Sequence, residues 1–203
     1  MEVIKVKGGD IREALDRALR VLGGGGIVAY PTETFYGLGA RFNDASALKR
    51  LLEIKGRASD KPLSLIVGTE ASLSLVAAEV TETARRLIDS YWPGPLTILF
   101  RAREGLHEAL SLEGKVAVRV PGESVGLHLA RALAFPITAT SANPAGGEPP
   151  SRAEEAARLL PEGVDLLIDA GPTPGGKPST VVDASGDEMR LVRPGAVEVP
   201  GLT

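Results

Sequence analysis

Four segments of the chain combine residue types that can grip anions and orient small polar molecules. The first is Lys55-Gly56-Arg57-Ala58-Ser59-Asp60-Lys61-Pro62, in which three cations alternate along a loop shaped by a glycine and a proline. From Lys49 to Lys61 five basic residues stand against two acidic ones, a local charge of +3 in a chain of net charge −3. Arginine supplies a planar fork and lysine a point charge, a pairing that suits a polyanion such as a triphosphate. The same residues also read as a solvated basic loop. The second segment, Pro31-Thr32-Glu33-Thr34-Phe35-Tyr36-Gly37-Leu38-Gly39, leaves a buried strand where α/β sheets usually bind ligands. Its hydroxyls, carboxylate and phenol could orient a polar substrate, or simply satisfy a turn.

The third segment, Thr138-Ala139-Thr140-Ser141-Ala142-Asn143-Pro144, again carries a strand into a polar loop, where Ser141 and Asn143 can bond a phosphate or ribose. Asn before Pro is equally an ordinary turn. The fourth feature is a pair of isolated arginines. Arg119 lies between Val118 and Val120 on an apolar strand closed by Pro121, and Arg193 ends the last strand before Pro194-Gly195. A cation among apolar neighbours needs an ion-pair partner or a cleft, and Arg119 is open to both readings.

Other patterns fail on their surroundings. Gly171–Pro178 approaches a phosphate-binding P-loop, but Pro178 replaces the hydroxyl residue and a strand, not a helix, follows. The run Gly23–Gly26 precedes its strand, the wrong order for a dinucleotide fingerprint. His107 and His128 have no partners in an order that suggests a catalytic triad, and no metal site is expected.

The elements that must position these groups alternate. A helix is expected from Asp10, as cap with Glu13 closing a capping box, to the glycine run at 23–26. Ile27–Tyr30 reads as a buried strand, 44–55 as a helix capped by Asp44, and Leu63–Val67 as a strand. Helices are expected near 69–77, 81–91 and 124–134, and strands at 96–101, 115–120 and 136–140. Ser151-Arg152-Ala153-Glu154 reads as a capping box opening a helix to about Leu160, before strands at 164–169, 180–183 and 189–193. Alternation without segregation predicts an α/β fold, helices around one mixed sheet. No internal repeat or long linker marks a second domain, so residues 1–203 are expected to form one.

Composition bounds the chemistry. At 203 residues, 43% apolar and 24% charged, the chain reads as an ordinary globular domain. It has no cysteine, which removes disulfides, thiolate nucleophiles and zinc ribbons, and two histidines leave little for a histidine-rich metal site. The small negative net charge advertises no global field for nucleic acid, so any anion-binding surface must be local. No apolar stretch approaches a membrane span and the start lacks a signal-peptide core, so a cytoplasmic location is the expectation.

Taken in order, these segments resemble the YrdC-like family of threonylcarbamoyl-AMP synthases. The likeness rests on Pro31-Thr32-Glu33-Thr34 with Tyr36-Gly37-Leu38, then Lys55-x-Arg57 and Lys61-Pro62, Arg119-Val120-Pro121, Ser141-Ala142-Asn143, Ser179-Thr180-Val181-Val182-Asp183, and Arg193. It implies a twisted mixed sheet flanked by helices with one large concave, locally positive pocket. It also implies a reaction: L-threonine, bicarbonate and ATP give threonylcarbamoyl-AMP and pyrophosphate. A partner transferase would then move the threonylcarbamoyl group to an adenosine beside the anticodon of certain tRNAs. By the same likeness Lys55, Arg57 and Lys61 would meet phosphates or developing charge. Thr32, Lys61, Arg119 and Ser179 would hold threonine, Arg119 by its carboxylate. Lys55, Arg57, Ser59, Ser141, Asn143, Ser151 and Arg193 would line the nucleotide side.

Mg2+ is expected through the ATP phosphates rather than on a protein-built site. Direct RNA binding on the positive pocket is a further candidate, and a membrane is not. Two positions depart from the family pattern: Lys115 and Ala145 stand where a hydroxyl is common. The additional C-terminal domain of longer relatives is expected to be missing. The alternative reading is a YrdC-like RNA-binding module or a carbamoyl-adenylate-handling protein without threonine activity.

Overall fold

The computed structural model describes residues 1–56, 62–160 and 162–202. Their strands form two mixed sheets rather than one. The five-stranded sheet has the order β1 (Glu2–Lys5), β10 (Leu166–Asp169), β2 (Val28–Pro31), β3 (Tyr36–Gly39), β9 (Thr140–Ser141). The second sheet runs β12 (Arg190–Arg193), β11 (Thr180–Asp183), β5 (Leu96–Arg101), β7 (Lys115–Arg119), β4 (Leu65–Ile66), β8 (Ile137–Thr138), with β6 (Ser111–Leu112) also on β7. Both sheets mix directions: β10 is parallel to β1 and β2 while β3 is antiparallel, and β11 is parallel to β5 while β12 is antiparallel.

The helices are α1 (Arg12–Gly23), α2 (Ala45–Lys55), α3 (Glu82–Tyr91), α4 (Val125–Ala132) and α5 (Ala153–Leu159). The central strands are apolar on both faces, and the period of two sorts their side chains. Ile27 and Ala29 join a large core with Leu48 and Leu51 of α2 and Ile98 and Val118 of the second sheet. Val28 and Tyr30 point the other way, into a smaller core with Ala18 of α1 and Leu129 of α4. Among the described residues no helix is long and apolar enough to cross a membrane.

Several boundaries differ from the sequence expectations for identifiable reasons. Asp10 stands before the first helix, whose N-cap is Ile11; its carboxylate instead takes the Arg12 N–H and guanidinium. The box at α5 is shifted by one residue, with Arg152 at the cap and Glu155, not Glu154, receiving the Ser151 and Arg152 N–H groups. The expected helix at 69–77 is a 3-10 segment, Glu70–Leu75. The strand expected at 136–140 divides at Ala139: Ile137–Thr138 pairs with β4 and Thr140–Ser141 crosses to β3. Ala139 is pinned there, donating its N–H to Ser64 O at 2.8 Å while Ser64 Oγ donates to Ala139 O at 3.0 Å.

A half-buried charge cluster around the buried Asp183 ties the second sheet. Lys115 reaches across β5 to Asp183 at 2.7 Å, and Ser185 Oγ donates to the same carboxylate at 2.7 Å. Burial pushes the Asp183 carboxyl up, but the bonds from Lys115 and Ser185 outweigh it and hold it below the usual aspartate range. A depressed folded-state pKa gives stability that is full above the unfolded value of about 3.9 and is lost as pH falls through the folded value. Asp183→Asn is therefore expected to cost about 1–2 kcal/mol at pH 7, the scale of a partly solvated charged hydrogen bond. Thermal melts of both proteins should converge below about pH 4; a constant gap across pH 3–7 would contradict this account.

Candidate functional site

The two sheets come together around one cavity of about 590 Å³, within the ~300–1,000 Å³ of small-molecule sites. Among the described residues, six separate stretches of the chain bring the expected side chains to its wall. Thr32 comes from the β2–β3 turn, Lys55 from the end of α2, Arg119 from the end of β7, Ser141 and Asn143 from β9 and its loop, Ser179 from the residue before β11, and Arg193 from the end of β12. Three cations and no carboxylate line it among the described residues. Arg57, Ser59 and Lys61 lie outside the described residues.

The β2–β3 turn is built by its own side chains. Thr32 Oγ1 donates to Phe35 O at 2.7 Å and accepts the N–H groups of Thr34 and Phe35 at 3.2 and 3.3 Å. The Thr32 hydroxyl thus serves the turn while the residue lines the cavity. Thr34, a buried lining residue not singled out from the sequence, lies 3.1 Å away, hydroxyl to hydroxyl. Glycine at 39 lets the Tyr30 ring lie against β3: a Cβ there would stand 2.9 Å from Tyr30 Cε1.

Lys55 is the last residue of α2 and is 3% exposed. Gly56 follows at φ +62°, a left-handed turn that suits glycine and ends the helix there. Lys55 Nζ donates to Ser141 O at 2.7 Å and to Asn143 O, and its own carbonyl accepts Ala145 N–H at 2.9 Å. The lysine that reads as part of a basic loop is thus also a brace for the β9 loop. Asn143 tightens that loop further, donating from Nδ2 to Pro144 O at 2.7 Å and Gly147 O at 2.8 Å. Its Oδ1 is buried with no partner among the described residues, and the Ser141 hydroxyl makes no hydrogen bond among them.

Arg119 has an ion-pair partner and also faces the cavity. It is 7% exposed, donates from Nη1 to Glu33 Oε1 at 2.5 Å, and still lines the cavity. Across from it Arg193 donates from Nη2 to Ser179 O at 2.7 Å and has no acidic partner among the described residues. Desolvation, and then the field of Arg119, hold the Arg193 guanidinium below the usual arginine value. Two cations that raise each other's energy around a hollow are stabilised when an anion enters it. The strand end bearing Arg193 is held against Ser179 by a close approach at Gly195, where a Cβ would stand 2.3 Å from Pro178 O. Ser179 Oγ meets Thr97 Oγ1 at 2.9 Å.

Ser151 is the one described member of the expected set that is absent from the cavity wall. Its N–H goes to Glu155 and its carbonyl accepts Thr173 N–H at 2.8 Å, so it serves the entry to α5.

With this geometry in place, comparison with known proteins is direct. Residues 20–195 match the Sua5–YciO–YrdC family, described as telomere recombination. The chain is 36% identical over 195 residues to the threonylcarbamoyl-AMP synthase of Pyrococcus abyssi, covering 93% of this chain and 57% of that protein. It is 35% identical over 168 residues to the threonylcarbamoyl-AMP synthase of Chromobacterium violaceum, covering 82% and 86%. The crystal structure of P. abyssi Sua5 complexed with L-threonine superposes with a TM-score of 0.90 at 36% identity over 96% of this chain and 58% of that one. Escherichia coli YciO gives 0.85 at 28% identity over 98% and 97%. The chain spans under two thirds of the P. abyssi protein it matches. By the match of residues 20–195 and by its likeness to relatives of similar length, the chain belongs to the Sua5–YciO–YrdC family.

Proposed function

We propose that this chain, as one YrdC-like domain, is an L-threonylcarbamoyladenylate synthase. The observation that carries the reading is convergence: Thr32, Lys55, Arg119, Ser141, Asn143, Ser179 and Arg193, separated along the chain, line one cavity whose described lining is cationic and free of carboxylates. The names of relatives at 35–36% identity point the same way.

In this reading the threonine amine adds to bicarbonate carbon and water leaves, giving a carbamate. A carbamate oxygen then attacks the α-phosphorus of ATP, the bond to the β-phosphate bridge breaks, and pyrophosphate departs. Negative charge builds on the leaving group, so fixed cations supply much of the help. Arg119 would take the threonine carboxylate, with Thr32, Ser179 and Lys61 around the amino acid. Lys55, Arg57, Ser59 and Arg193 would meet phosphates, with Ser141 and Asn143 on the nucleotide side. Mg2+ would arrive as part of the MgATP substrate, because the described lining offers it no carboxylate. The product would pass to a tRNA-modifying threonylcarbamoyl transferase in the cytoplasm.

Pyrophosphate release from ATP is expected only when threonine and bicarbonate are both present. Equal turnover with serine would remove threonine specificity while leaving adenylation. No turnover, with RNA binding that falls steeply as salt rises, would replace the reading by an RNA-binding one.

A further inference from the structure

Glu33 contributes nothing to the cavity wall, yet its carboxylate is the only acid paired with Arg119 among the described residues. The two side chains are 9% and 14% exposed, so the contact is shielded from water. Its geometry leaves half of the carboxylate unused. A guanidinium and a carboxylate that meet fork to fork satisfy both oxygens. Here Arg119 gives only Nη1, to Glu33 Oε1, and Glu33 Oε2 is left buried without a partner. Among the described residues Arg119 makes no other side-chain hydrogen bond. The guanidinium is therefore held by one corner, with its remaining N–H groups uncommitted beside the cavity.

The glutamate is itself fixed. It sits inside the turn locked by Thr32, and Gly122 packs on its stem, where a Cβ would stand 3.1 Å from Glu33 Cγ. An unmatched buried oxygen is a cost that a purely structural pair would relieve by rotating into the fork. Keeping it leaves the fork for a second carboxylate.

We infer that Glu33 is a positioning residue: by gripping one corner of Arg119 it sets the guanidinium for the carboxylate of the amino-acid substrate. The inference rests on the function proposed above for its substrate, and on this geometry for its role. Glu33→Met keeps the length of the side chain but cannot accept a hydrogen bond; Glu33→Gln keeps the accepting oxygen. With both variants folded by circular dichroism, Glu33→Met is expected to raise KM for threonine at least tenfold with KM for ATP within twofold of wild type. Glu33→Gln is expected to restore threonine KM to within about threefold of wild type, because one accepting oxygen suffices for a corner grip.

In guanidinium 15N spectra of the ligand-free chain, the Arg119 signal, assigned by its loss in Arg119→Lys, should show slowed rotation in wild type and Glu33→Gln and free rotation in Glu33→Met. Equal threonine KM in Glu33→Met and wild type would overturn the inference, as would threonine and ATP KM rising together. If wild type shows no threonine-dependent turnover, the functional reading falls and the spectra alone decide: rotation unchanged by Glu33→Met overturns the role of Glu33, and rotation released by Met and not Gln supports it.

Discussion

Arg119→Lys is expected to lower threonine-dependent pyrophosphate release about 10²–10³-fold with the fold intact, the loss typical of one preorganised polar contact in a reacting site. Lysine keeps the charge that Glu33 needs but replaces a rigid fork by a point donor. It cannot hold Glu33 by one corner and a substrate carboxylate by the other. Arg119→Ala is a poorer probe, because it strands the Glu33 carboxylate in a site where its side chain is 14% exposed. Removing one partner of a buried pair costs about 3–5 kcal/mol. The alanine variant should therefore show a large fall in melting temperature that the lysine variant does not. Activity of Arg119→Lys near that of wild type would dismiss Arg119 as the carboxylate clamp.

The pair Arg119–Glu33 also marks the limit of what the sequence discloses. Each residue is legible alone, Arg119 as a cation on an apolar strand and Glu33 within a polar turn. That they touch depends on β7 and the β2–β3 turn meeting at the cavity, a long-range event with no local signature. The secondary elements with strong periodicity and caps are legible in the sequence: Asp44, read as the cap of α2, accepts Ala47 N–H. β3 is not, because two glycines in four residues lower strand propensity and the covering Tyr30 ring that offsets them belongs to the neighbouring strand. β1 carries no clear sequence signal, because it is an edge strand whose residues are mostly exposed. The second sheet was hidden by Ala139, since a short apolar-to-polar run cannot say that its two halves pair with different partners.

The site was readable as a set of residue types because binding groups sit at strand ends and loops, where polar residues interrupt the apolar pattern. Ser151 shows the ambiguity of such positions: a residue at a loop end, read as a helix cap first and a ligand second, gives its N–H and hydroxyl to Glu155 at the entry to α5. Thr34 shares a segment with Thr32, and nothing local marks that both residues line the cavity while the Thr32 hydroxyl closes the turn.

Lys55→Met is the second substitution with a large expected effect, and its reasoning differs from that for Arg119. The lysine is 3% exposed, and its Nζ donates to the Ser141 and Asn143 carbonyls. Methionine matches its length and apolar stem, so packing is retained while both charged hydrogen bonds vanish. A buried carbonyl left without a donor costs about 1–3 kcal/mol, and for a chain of this size each kcal/mol lowers the melting temperature by about 2–4 °C. The loss should concentrate in the loop after β9, which the lysine braces, and appear there as faster amide exchange from Asn143 to Gly147. Because Ser141 and Asn143 are carried by that loop, the same change removes a positive charge from the cavity and loosens two groups proposed to meet the nucleotide. Pyrophosphate release should therefore fall by more than about 10², with ATP affinity weakened more than threonine affinity. Faster exchange without lost activity would make Lys55 a brace alone. Lost activity without faster exchange would place its role at the phosphates, and the pair of measurements separates the contributions because the side chain touches the loop backbone and the cavity at once.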